Sequence, residues 1–174
     1  MAKVKAPEVW LRGPVANIPL LLQPVAHALL QAKEELEEYL QEFSDDLLWQ
    51  RPAGVASVGF HLQHLCGVLD RLLTYARGEG LQQEQLHYLS QEGIPPQQKV
   101  TVQELLGAFN LQVDLTLAQL TQTPEPELTQ PRGVGRVQLP STVLGLLFHA
   151  AEHTQRHVGQ LLVTVKILQE RAAG

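Results

Sequence analysis

Only one cysteine, Cys66, occurs in the 174 residues. Its isolation excludes an internal disulfide framework and any zinc site built on a Cys-x-x-Cys pair. Basic clusters are also missing: 13 lysines and arginines are scattered against 18 acidic residues, for a formal net charge of -5. A nucleic-acid reader needs a basic stripe to neutralise phosphates, so neither DNA nor RNA is an expected partner. No apolar run approaches the ~20 residues of a membrane span. The start, Met1-Ala2-Lys3-Val4-Lys5-Ala6-Pro7, has no apolar signal-peptide region. No membrane partner is expected, and a cytoplasmic location is the default. Repeats, low-complexity tracts and alternating strand patterns are absent as well.

The length suits one domain with a full core, and 44% apolar with 18% charged residues is ordinary for a folded chain. One domain is expected over residues 1–174, with residues 1–18 as an extended lead-in that packs on the body through Val9, Trp10 and Leu11. From Ile18 to Phe43 the residues Leu22, Val25, Leu29, Ala32, Leu36 and Leu40 recur at spacings of three and four, a helical period. Pro24 fits the first turn, where its missing N–H costs nothing, and Glu34, Glu35, Glu37 and Glu38 form a solvated face. Ser57 is placed to cap a second helix to about Arg77, ended by Gly78-Glu79-Gly80. Residues 81–98 form a linker with one short helical piece, Leu81 to Ser90. Thr101-Val102-Gln103-Glu104 is a capping box that opens a third helix to about Thr121, stopped by Thr123-Pro124-Glu125-Pro126. A connector with Val137-Gln138-Leu139 briefly extended leads to a fourth helix, free of proline from Ser141 to Gly174. Four long amphipathic helices imply an all-α four-helix bundle, an architecture that builds metal sites from facing core side chains.

In the fourth helix His149, His153 and His157 recur at every fourth position. Neighbours at that spacing stand one above the other, about 5–6 Å apart between Cβ atoms, and two such imidazoles can close on one ion. The full stack, about 12 Å tall, is too tall for one ion. One adjacent pair is expected to bind, and further ligands must come from another helix. The second helix offers His61 and His64, three residues apart on one face. Gly59 and Gly67 flank them and Gly159 sits beside His157. Each glycine costs a helix about 1 kcal/mol relative to alanine, which fits close helix approach around a site or ordinary tight packing. Cys66, two positions from His64, points to nearly the opposite side and reads as a small buried apolar residue.

Two motifs in order, Ser57…Gly59…His64-Leu65…Asp70-Arg71…Tyr75 and the last-helix His153-x3-His157-Val158-Gly159-Gln160, resemble the DinB/YfiT-like family. The likeness runs from about Leu20 over nearly the whole chain, with one helix between the motifs. It implies an up-down-down-up four-helix bundle that holds a divalent metal through three histidines, which carry over onto His64, His153 and His157. His149 is then an extra histidine, behind the ligands or in the pocket wall, and His61 is the rival of His64. Val158 stands where many members have arginine, so a substrate role for that arginine has no counterpart here. Glu152 is a candidate acceptor or base beside His153, its simpler reading being a solvated helix carboxylate. Gln160 is a candidate for the pocket, and Tyr75, far down its helix, is packing.

Three neutral imidazoles leave a coordination position for water or substrate. They favour Zn or Ni, with Fe or Mn as further options, over Mg or Ca. Relatives in the family include thiol-dependent S-transferases and isomerases. The resemblance therefore implies a metal-dependent enzyme acting on a small molecule, the metal activating the sulfur of a low-molecular-weight thiol. The alternatives are a metal-dependent hydrolase using a bound hydroxide and a non-catalytic metal-binding or stress-response bundle. No catalytic residue is singled out beyond the ligands. Relatives often pair through bundle helices, so a homodimer is also implied.

Overall fold

The computed structural model describes residues 6–174, so residues 1–5 of the expected lead-in lie outside the described residues. The chain forms α1 (Gln23–Leu40), α2 (Val58–Ala76), α3 (Gln83–Gln91), α4 (Val102–Thr121), a hairpin of β1 (Pro131–Val134) and β2 (Leu139–Thr142), and α5 (Val143–Ala173). Local chemistry fixes the starts of the long helices. Ser57 Oγ accepts the Phe60 N–H at 3.1 Å, and Thr142 Oγ1 accepts the Gly145 N–H at 3.0 Å. Thr101 and Glu104 bond reciprocally across the start of α4. Each bond satisfies a backbone donor that a helix end would otherwise leave unpaired.

The four long helices pack as a ring in which α5 lies between α1 and α2, and α4 closes the circle between α2 and α1. Side-chain pairs give the directions. Lys33 meets Asp114 and Asn110 meets Glu37, so α1 and α4 are antiparallel. His64 meets His153 and His61 meets His157, so α2 and α5 are antiparallel as well. Arg77 and the Leu73 carbonyl both meet Gln119, which sets the ends of α2 and α4 side by side. The expected up-down-down-up bundle is the result. Its core contains Leu22, Val25, Leu29, Ala32, Leu36 and Leu40 of the first helical run, all buried, against Leu62, Leu65, Leu69, Phe109, Val113, Leu147 and Leu161. Among the described residues no helix is long and apolar enough to cross a membrane.

Three expectations are corrected. Of the three lead-in residues expected on the body only Val9 is buried; Trp10 and Leu11 are exposed, and Ile18 supplies a second buried contact. A 3-10 turn over Val9–Leu11 turns Trp10 outward, where its indole N–H donates to Glu8, while the Val9 N–H donates to Gln31 on α1. The first helical run is 3-10 at Leu20–Leu22 and becomes α-helix only at Gln23. Strands, not expected, form a short antiparallel hairpin, and of Val137-Gln138-Leu139 only Leu139 lies in it. Gly135 and Gln138 take positive φ of 68° and 50°, a tight-turn geometry that holds Val137 in solvent. Four residues per strand are too few for an alternation to stand out.

The glycines divide. Gly59 lies under the Trp49 ring, where a Cβ would come within 2.6 Å of the ring carbons. Gly159 is exposed and faces open space. Gly59→Ala is expected to destabilise the protein by about 1–3 kcal/mol through overpacking, whereas Gly159→Ala stabilises it by up to about 1 kcal/mol. Urea unfolding of the two variants checks this, and equal effects would contradict it.

Candidate metal centre

Antiparallel packing places the N-terminal half of α2 against the middle of α5. The three- and four-residue spacings then become two cross-helix pairs. His64 Nε2 lies 3.0 Å from His153 Nε2, and His61 Nδ1 lies 3.0 Å from His157 Nδ1. The rings of His64, His153 and His157 form a triangle with centroids 4.5 to 5.2 Å apart. One ring nitrogen from each of these three falls within 4.8 Å of the others, so the trio could hold a metal ion. Phe60 lies nearly parallel to the His64 ring at 5.3 Å and backs it.

Proton placement follows from the partners. His64 Nδ1–H donates to Glu92 Oε2 at 2.6 Å, which leaves Nε2 to face His153. Glu92 Oε1 accepts from Arg71 Nη1, also at 2.6 Å, and its side chain is only 5% exposed. His153 Nδ1 is buried without a hydrogen-bond partner. For His153 to bond His64, its proton must sit on Nε2, leaving a bare buried lone pair on Nδ1 at a cost of about 1–3 kcal/mol. With the proton on Nδ1 instead, two lone pairs would face each other across 3.0 Å. A cation resolves that conflict, so the donor set fits a divalent ion.

Burial, then the charge of the neighbouring His64, pushes His61 from the usual 6.5 down to about 4. Burial likewise leads in lowering His157 to about 4, with His64, His153 and His61 adding to it. His153 is lowered too, first by burial. These rings are neutral near pH 7, the state in which an imidazole nitrogen can bind a metal.

The remaining sequence candidates are placed as follows. His61 is 2% exposed and contacts His157 rather than joining the trio. His149 is exposed, and its Nδ1–H donates to Glu152 at 2.7 Å. His149, Glu152 and His153 form a second group whose ligand atoms lie within 4.8 Å. Both Glu152 oxygens are engaged there, one by His149 and one by Arg156. Burial opposes ionisation of Glu152, but the His149 hydrogen bond and the Arg156 charge outweigh it and hold the carboxyl low. Gln160 is exposed, with no hydrogen bond to the cluster among the described residues. Cys66 is half-buried beside Tyr88, outside the histidine trio, and burial pushes its thiol up to about 12, which leaves it inert. Glu92 was not foreseeable: it lies in a connector with no motif around it, and only the path of α3 brings it to His64.

The sequence profile of the DinB superfamily matches residues 28–161. Among solved structures, a conserved protein from Enterococcus faecalis superposes with a TM-score of 0.67 at 20% identity, covering 86% of this chain and 97% of that one. A protein from Streptococcus pneumoniae superposes with a TM-score of 0.60 at 15% identity, covering 84% and 88%. At these identities the two structures share the fold. No curated protein gives a significant match.

The depressed imidazoles set a pH dependence. Unfolded, His61 and His157 take up protons near pH 6.5, whereas folded they resist until about 4. Their contribution to the stability of metal-free protein is therefore present above pH 6.5 and is lost as pH falls through 4. Thermal midpoints of chelator-treated protein between pH 7.5 and 4 are expected to fall, with a flatter profile in His61→Asn. A profile unchanged by that substitution would contradict the assignment.

Proposed function

Because the chain belongs to the DinB superfamily, we propose that it is a divalent-metal-dependent enzyme whose ion is held by His64, His153 and His157. Its proposed reaction is transfer onto or from a low-molecular-weight thiol. The observation that carries this reading is the convergence of three imidazole nitrogens within 4.8 Å at a partly exposed place. An ion bound there would supply a Lewis acid that brings the pKa of a bound thiol or water toward neutrality.

The chain's own residues supply the rest. His64, its Nδ1–H committed to Glu92, presents Nε2. His157 is steered by its bond to His61, and Phe60 restrains the His64 ring. Three uncharged ligands would leave the ion's full positive charge to attract an anionic fourth ligand such as a thiolate. Imidazole donors favour Zn or Ni, ahead of Fe or Mn. The proposed partner is a small electrophile, with no part for nucleic acid or membrane. A cytoplasmic homodimer completes the reading, for which the exposed Leu111 and Leu115 on α4 offer an apolar face.

Elemental analysis of dialysed, untagged protein should find one Zn or Ni per chain, lost in His64→Ala and His157→Ala. The loaded protein should then consume a thiol in the presence of an electrophile, and chelation should abolish this. Ester or amide turnover with no need for thiol would make it a hydrolase instead. Stoichiometric metal with no turnover would make it a non-catalytic metal-binding bundle. A metal-free protein that binds none on add-back would overturn the reading.

A further inference from the structure

The helix α3 and the turn after it stand outside the four-helix ring, yet α2 holds them along their length. Gln85 Nε2 donates to Asp70 at 2.8 Å, Tyr88 donates its hydroxyl to the Gln63 carbonyl at 3.1 Å, and the Gly93 N–H donates to Gln63 Oε1 at 2.8 Å. Between the last two contacts lies Glu92, the residue that ends α3. Its carboxylate reaches α2 over Gly67. A Cβ at that glycine would collide with Glu92 Oε1, Arg71 Nη1 and the Tyr88 ring. The bare backbone there is what admits the carboxylate.

A buried carboxylate demands a partner, and Arg71 alone meets that demand through Oε1. The second oxygen is spent on the His64 ring at 2.6 Å, which charge pairing does not require. We propose that Glu92 is a positioning residue for the metal centre. It fixes the His64 proton on Nδ1 so that Nε2 faces the centre, while Arg71 fixes the carboxylate and Gly67 makes room for it. The idea rests on His64 being a ligand, as proposed above. Its physical basis is general: the hydrogen bond made by one imidazole nitrogen decides which nitrogen is free to bind a metal.

The test combines two measurements on the full chain. Zn²⁺ affinity is measured by chelator competition for wild type, Glu92→Ala, Glu92→Gln and Gly67→Ala. The His64 tautomer is read from ring ¹⁵N shifts of the metal-free proteins, with circular dichroism as the check on folding. Loss of such an outer partner weakens metal binding by about 10–100-fold, and this is expected for Glu92→Ala, with the His64 proton no longer confined to Nδ1. Glu92→Gln, which keeps an acceptor oxygen, should lose less. Gly67→Ala, which removes no ligand and no charge, should weaken binding by displacing the carboxylate. Unchanged affinity and an unchanged tautomer in folded Glu92→Ala would overturn the proposal. If wild type binds no Zn²⁺, the metal reading falls by itself. The proposal then falls with it as a metal-centre role, and the tautomer tells the two failures apart: a shift in Glu92→Ala shows that Glu92 fixes the His64 proton, and no shift overturns that part too.

Discussion

The centre depends above all on the antiparallel contact between α2 and α5. Because the two helices run oppositely, the histidines three apart on α2 face those four apart on α5 in inverted order. In that register His61 meets His157 and His64 meets His153. A slide of one turn, about 5.4 Å, would pair each with the wrong partner or with none. The small hairpin before α5 and the cap at Thr142 fix where α5 begins, and the Ser57 cap fixes where α2 begins. The register at the centre is thus set by features some distance from it.

This arrangement is not the one that stability alone would select. Four imidazoles, a carboxylate and a guanidinium occupy space that apolar side chains could fill, and buried ion pairs replaced by well-packed apolar groups often leave a protein as stable or more so. The leucines around them, among them Leu62, Leu65 and Leu161, are fully buried and offset the cost. Burial also keeps His157 neutral near pH 7, and so usable as a metal donor, and does the same for its neighbour His61. An apolar surround and a polar centre therefore act together: the first depresses protonation, and the second uses the lone pairs so preserved.

Much of the fold was legible in the sequence. The period of Leu22 to Leu40, the caps at Ser57 and Thr101, the glycine stop at Gly78 and the proline stop at Pro124, and the proline-free run after Ser141 marked the four long helices to within a few residues, because each signal is local. The two pairs of histidines stood out through their spacing, and the structure brings His64, His153 and His157 together. Less legible were features set by tertiary path. The hairpin was too short to show alternation, and Trp10 was placed on the body on hydrophobicity alone. Gly59 and Gly67 looked alike in sequence, yet one seats Trp49 and the other admits Glu92. Gly159, which resembled both, packs against nothing. Glu92 itself carried no signal, since its part depends on where α3 lays the chain down.

The central claim is that the histidines of α2 and α5 form one centre with three ligands. It is tested most directly by anomalous scattering from crystals of the Zn- or Ni-loaded protein. The account predicts a single peak bounded by His64, His153 and His157, with His61 held back on His157 and Glu92 on His64 Nδ1. A peak between His149, Glu152 and His153, or one liganded by His61 in place of His64, would contradict it.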